Sequence, residues 1–221
     1  IARRQRQMCI RDSTEVGVLF RKYKLQSSPK KEVTRRNFKA PYVSLDTALS
    51  FERSFYYRKR SYLQTLVPRI YFLYLKQDYE PTLPRFDSAP YTPSFSNIFR
   101  RDQFSGYDEL SGARRISVGL TTAFFDRNSG KEFFKASIGH IRNLDNQDAF
   151  PHSGARQTAL LSSSPIFLQS RLQFNRIGVN ASYEWDSKQT QTNQLNLSVR
   201  YKGKNPSEIF NFSYSYKKER T

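Results

Sequence analysis

Cysteine is almost missing from this chain. Cys9 stands alone among 221 residues, so no internal disulfide can close. Histidine is nearly as scarce: His140 and His152 lie apart, and no Cys/His cluster has the spacing of a metal site. A lone strand histidine such as His140 reads as a packed or hydrated structural residue. No Ser/His/Asp set stands out and the carboxylates are scattered, so the expectation is no enzyme activity, no cofactor and no metal. No run of about 18 apolar residues occurs, which excludes a transmembrane helix. It does not exclude a membrane-spanning sheet, because half of every barrel strand is polar and mean hydropathy, here −0.73, misses it. Long stripes of 3.6-residue period are absent, and Ala and Glu are sparse. No secretory signal is visible.

What the chain does have is alternation with a period of two. Over 177–186, Ile177, Val179, Ala181, Tyr183 and Trp185 share one side, and Gly178, Asn180, Ser182, Glu184 and Asp186 the other. Leu195, Leu197, Val199 and Tyr201 oppose Gln194, Asn196, Ser198, Arg200 and Lys202, and Phe210, Phe212, Tyr214 and Tyr216 oppose Asn211, Ser213, Ser215 and Lys217. Successive strand side chains point to opposite sides, so this describes a sheet with one greasy and one hydrated surface. The 14 Tyr and 18 Phe favour strands, and Tyr suits a membrane–water boundary. The chain is all-β, and such strands suit an antiparallel transmembrane β-barrel.

A net charge of +18 raises a competing class, a soluble basic nucleic-acid-binding β-protein that stacks bases on exposed aromatics. The cations are spread along polar faces and turns, as in Arg58, Lys59, Arg60, Arg100, Arg101, Lys202 and Lys204, with no compact basic arm. A solvated charged face is therefore preferred, with no nucleic-acid partner. A passive porin-like outer-membrane channel shares the alternation and stays an alternative.

Along the chain, residues 1–13 lack β alternation and carry Arg3, Arg4, Arg6 and Arg11 against Asp12; they resemble translated adapter or assembly read-through and are set aside from the fold. From 14 onward nine strands are predicted, near 15–26, 39–53, 61–76, 114–126, 131–142, 165–174, 176–187, 192–202 and 208–218. Short links such as Arg127-Asn128-Ser129-Gly130 and Gly203-Lys204-Asn205-Pro206-Ser207 alternate with long ones at 78–113 and 143–164, the asymmetry of an outer-membrane barrel. Pro68 interrupts the third strand and reads either as a locally weakened ladder or, the preferred reading, as a tolerated bulge. That strand is apolar on both sides, Val67, Leu73 and Leu75 against Leu66, Ile70 and Phe72, as expected if something covers its inner side. Nine is an awkward number, since single-chain bacterial barrels close with an even count and an open edge in hydrocarbon strands backbone groups. Residues 14–221 are thus expected to be about nine strands of a larger barrel, aggregation-prone in isolation.

One stretch is distinctive: Phe86-Asp87-Ser88, then Ile98-Phe99-Arg100-Arg101-Asp102-Gln103-Phe104-Ser105-Gly106-Tyr107-Asp108-Glu109-Leu110, then Ile116-Ser117-Val118-Gly119-Leu120-Thr121-Thr122, then Ala136-Ser137-Ile138-Gly139-His140. In this order it resembles the LPS-assembly protein family LptD, with its F-D-S, L-F-x-x-N-R-F-S-G-x-D-R, V-x-x-G-L-T-S-R and S-I-G-Q segments. Arg35-Arg36-Asn37-Phe38 to Ala40-Pro41 and Thr65-Leu66-Val67-Pro68-Arg69-Ile70 resemble its R-R-N-F-x-A-P and T-L-x-P-R-V segments. The likeness spans about 35–142. Asp102-Gln103, Asp108-Glu109 and Gly139-His140 depart from the family pattern.

The resemblance implies a Gram-negative outer-membrane barrel that delivers lipopolysaccharide to the outer leaflet. It implies an LptE-type plug lipoprotein inside the barrel, and a periplasmic bridge reached through a periplasmic domain missing from this chain. On polar faces, Arg171, Gln173, Arg200 and Lys202 are candidate contacts for lipopolysaccharide or plug. The proline-bearing stretch 78–113 is too long for a turn. The resemblance implies that it folds into the lumen or onto the plug, which makes Phe95 and Phe104 candidate contacts too.

Overall fold

A computed structural model of the chain describes residues 8–26, 33–76, 88–92, 94–106, 113–144, 165–187, 190–205 and 208–218. Nine strands form one antiparallel sheet: β1 (Met8–Gln26), β2 (Val33–Tyr57), β3 (Arg60–Leu75), β6 (Ala113–Asp126), β7 (Glu132–Asn143), β8 (Pro165–Phe174), β9 (Ile177–Asp186), β10 (Gln191–Lys202) and β11 (Ile209–Lys217), each paired with the next in that order. Two further short strands, β4 (Ala89–Pro90) and β5 (Phe104–Ser105), pair with each other in the segment between β3 and β6. Among the described residues the sheet is open, with β1 and β11 at its edges. No described helix is long and apolar enough to cross a membrane, which says nothing of strands.

Seven strands fall where the alternation placed them. The first two run further, back to Met8 on β1 and over Val33–Tyr57 on β2. The reason is backbone pairing rather than patterning: β1 and β2 share an unbroken register from Met8↔Phe51 to Gln26↔Val33. Cys9 to Thr14 show no sustained alternation of apolar and polar side chains, so nothing in their side chains marks a strand. Of the expected link 143–164 the part from 145 on, together with Pro81, Pro84 and Pro93 and the motif ends Phe86-Asp87 and Tyr107 to Leu110, lies outside the described residues.

Pro68 corrects the expectation of a bulge. Pairing between β2 and β3 stops after Ala48↔Arg69 and resumes at Phe51↔Leu66 in the same register, so no extra residue is inserted. On its other side Pro68 stays paired with Leu120 of β6. The missing N–H opens a gap in the β2 ladder at constant register. Pro68→Val is expected to close it and stabilise the folded barrel by about 0.5–1.5 kcal/mol, one net hydrogen bond. The midpoint of urea unfolding of the full-length protein in lipid vesicles would read this, and an unchanged midpoint would refute it. True bulges occur elsewhere, at Phe124/Phe125 and Thr192/Gln194.

The burial pattern is inverted relative to a water-soluble sheet. On β6, Ile116 and Val118 are 37% and 40% exposed, while Arg115 and Ser117 on the other face are 1% and 0% exposed. The same outward face carries exposed Val18, Phe20, Leu45, Ile70, Leu120, Ile138, Leu168, Phe212 and Tyr214. Burying one such side chain is worth about 1.5–3 kcal/mol, so a face of them left in water would be costly many times over. A lipid-facing outer surface and a polar inner one account for the inversion.

Candidate functional site

The inner face divides in two. Across β8 to β11 it is a polar lattice. Asn196 donates to Ser182 Oγ at 3.2 Å, Ser215 donates to Asn196 Oδ1 at 2.7 Å, and buried Asn193 donates to Glu184 Oε1 at 3.0 Å. Across β2 to β8 the same face is covered by the segment Ser94 to Gly106, which folds back from the β3–β6 link.

This covering segment is built around a 3-10 turn at Asn97–Phe99, with Ser94 O accepting from the Asn97 N–H at 3.1 Å. Ile98 and Phe99 are buried and join Tyr71, Leu73, Leu75, Ala113, Ile141 and Phe167 in one core, with Phe95 packed at its margin. That explains why β3 is apolar on both sides: Tyr71, Leu73 and Leu75 face the turn, not a hydrated lumen. Beneath the turn the wall is paved with glycine. Gly119 and Gly139 are cross-strand partners. A Cβ on Gly119 would sit 2.6 Å from Phe99 Cζ and 3.0 Å from Phe95, and one on Gly139 would sit 2.7 Å from Ile98 Cδ1 and 2.8 Å from Phe95. Strand-interior glycine here marks close approach of another segment.

Polar contacts pin the rest. Ser117 Oγ donates to Ile98 O at 2.6 Å. The buried Arg115 guanidinium donates through Nη2 to the carbonyls of Arg100 and, at 3.2 Å, Arg101. Its Nε has no partner among the described residues. From β3, Arg69 pairs with Asp46 of β2 through two contacts of 2.7 and 2.6 Å, and its guanidinium lies 4.3 Å from the Phe99 ring centroid. From the covering segment, Arg101 lies 4.7 Å from the Tyr42 ring centroid and 3.7 Å from Glu15 of β1. Burial alone would lower the Arg101 pKa, but Asp102, hydrogen-bonded at 3.3–3.4 Å, together with Glu15, leaves it above the ordinary guanidinium value. Arg101 is therefore cationic at any working pH. The segment thus reaches strands from β1 to β8.

The predicted contacts divide accordingly. Phe95 is brought against the wall glycines. Phe104 is buried within the covering segment's own ladder, in β5 opposite Pro90. Arg171, Gln173, Arg200 and Lys202 all lie on the inner face, away from the covering segment and toward the short-turn ends. Arg171 donates to Asn180 Oδ1 and Arg200 to Asn211 Oδ1, each at 3.1 Å, and Gln173 lies over Gly178. Lys135 of β7, directly opposite Arg171, was not expected among them. The sequence signal existed, since Lys135 shares its alternation face with Ser137 and Gly139. His140 is as expected, half-buried with Nδ1 3.3 Å from Pro165 O.

A family model described as LPS transport system D, LptD, matches residues 13–221. The chain belongs to the LptD family. The match is wider than the motif-bearing stretch 35–142 and takes in β8 to β11, which the alternation alone describes as generic strands. Relatives bearing the name LPS-assembly protein LptD include that of Legionella pneumophila (strain Lens), 29% identical over 197 residues, covering 81% of this chain and 23% of the relative. That of Nitrosococcus oceani is 28% identical over 204 residues, 92% of this chain and 27% of the relative. That of Coxiella burnetii is 30% identical over 161 residues, 73% of this chain and 18% of the relative. The chain spans about a quarter of the length of the first two of these curated relatives. These names speak of assembly and transport, and give no support to the porin-like or nucleic-acid alternatives.

Proposed function

We propose that this chain forms part of the wall of an outer-membrane barrel that moves lipopolysaccharide into the outer leaflet of a Gram-negative outer membrane. The observation that carries the reading is the inverted sheet: an outward apolar surface suited to hydrocarbon, and an inward surface that is hydrated and basic where it is not covered. Acyl chains can partition into the membrane while the anionic sugar head follows a wet, cationic wall. Lys135, Arg171, Arg200 and Lys202 supply that wall near the short-turn ends. Lys135 and Arg171 stand directly opposite each other, an arrangement unfavourable for an empty sheet and relieved by a passing anion. The reading includes an LptE-type plug lipoprotein seated against the covering segment and a periplasmic bridge feeding the barrel.

The test uses the full-length protein in cells with photo-activatable cross-linkers at Arg171, Arg200 and Phe104. Lipopolysaccharide adducts are expected at 171 and 200, and plug-lipoprotein or wall adducts at 104. No lipopolysaccharide adduct at 171 or 200, combined with free ion conductance of the purified barrel, would point to a passive channel instead.

A further inference from the structure

The outward face carries a polar row where the aliphatic surface meets an aromatic one. Arg53 of β2 donates through Nε to Gln64 Oε1 of β3 at 2.8 Å. Gln64 Nε2 donates to Thr122 Oγ1 of β6 at 3.1 Å, and that hydroxyl donates to Thr65 O at 3.0 Å. Each donor has one acceptor, so the relay fixes the Gln64 amide and engages only Nε of the exposed Arg53 guanidinium. Among the described residues Arg53 has no carboxylate partner.

The position of this row is what makes it unusual. Toward the long-link end lie Phe51, Leu66, Leu120, Val118 and Ile70, all exposed. Toward the short-turn end lies an aromatic cluster: Phe55 stacks on Tyr62 at 5.5 Å, Phe55 meets Phe124 at 6.3 Å, and Phe124 meets Phe134 at 5.9 Å. Arg58 and Lys59 follow in the turn. Aromatic belts sit at head-group level in membranes, so Arg53 stands at the edge of the hydrocarbon with its charge unmatched by protein. A guanidinium held by one edge presents the other in the geometry that grips a phosphate.

We propose that Arg53, positioned by Gln64 and Thr122, binds the phosphate of an anionic glycerophospholipid in the leaflet at the short-turn end. This rests on the membrane-wall reading, and charge complementarity selects the occupant. The probe is phosphatidylglycerol, doped into phosphatidylethanolamine nanodiscs holding the full-length protein with its plug, with retained lipid counted by native mass spectrometry. Arg53→Gln is expected to lower retained phosphatidylglycerol about tenfold, the loss of one charge-assisted contact. Gln64→Leu should lower it to a smaller extent, Arg53→Lys should keep part of it, and Arg58→Gln should change it little. Heat-modifiable gel migration verifies that each variant is folded. Equal retention by folded wild type and Arg53→Gln would overturn the site, as would lipopolysaccharide in place of phospholipid there. Failure of the wild type to insert would overturn the wall reading itself, and this site with it.

Discussion

Arg115→Met is expected to release the covering segment, weakening its docking by about 3 kcal/mol. Two effects oppose each other. Methionine removes a buried cation whose Nε is unpartnered, which by itself is favourable. It also orphans the carbonyls of Arg100 and Arg101, which Nη2 now serves from below. Each part-buried carbonyl left without its donor costs about 1–3 kcal/mol, and backbone acceptors cannot be mutated away with the donor. The orphaned pair should win. Trypsin cleavage after Arg100 and Arg101 in the folded full-length barrel reports the undocked population when opening is fast relative to cutting. A shift of about 3 kcal/mol corresponds to roughly a hundredfold faster cleavage. A rate within threefold of wild type would mean that relief of the buried charge cancels the loss.

The double substitution Gly119→Val with Gly139→Val should be stronger still. Phe99 Cζ and Ile98 Cδ1 are the far ends of side chains and could each yield a little. Phe95 cannot yield to both, because the new Cβ atoms would approach its ring from both glycines, at 3.0 and 2.8 Å. Overpacking costs about 1–3 kcal/mol per site, so the pair should raise trypsin cleavage about a thousandfold while the sheet itself stays folded. Valine suits a strand, so the wall should not suffer. Retained protection at 100–101 in the double variant would show that the turn can dock in another pose.

Both predictions concern contacts that differ in how far they could be foreseen. β3 advertised its cover: a strand with Leu73 and Leu75 on the side that should be wet needs something apolar above it, and the long proline-bearing link was the available candidate. Gly119 and Gly139 were visible as strand-interior glycines within family-like segments, although nothing local tells what approaches them. Arg115 was invisible. Beside Arg114 it reads as one more surface cation, and its burial depends on the covering segment, whose Arg100 carbonyl lies 15 residues earlier and meets it only after folding. The reach of β1 back to Met8 was equally unreadable, since it is carried by backbone hydrogen bonds that any residue but proline can donate.

The sequence alone determined the faces. A strand's side chains alternate by local geometry, so a period of two assigns the residues of β6 to β11 outside the two bulges to the greasy or the wet side before any partner is known. It also determined the family, because ordered motifs are carried by the chain itself. Tertiary structure alone decided the register that opposes Lys135 to Arg171, the uninterrupted count across Pro68, and the seating of Ile98 and Phe99 over glycine. Those depend on which residues, distant along the chain, end within a few ångströms of one another. Pairing energy and close packing settle that, and neither is a property of a residue and its immediate neighbours.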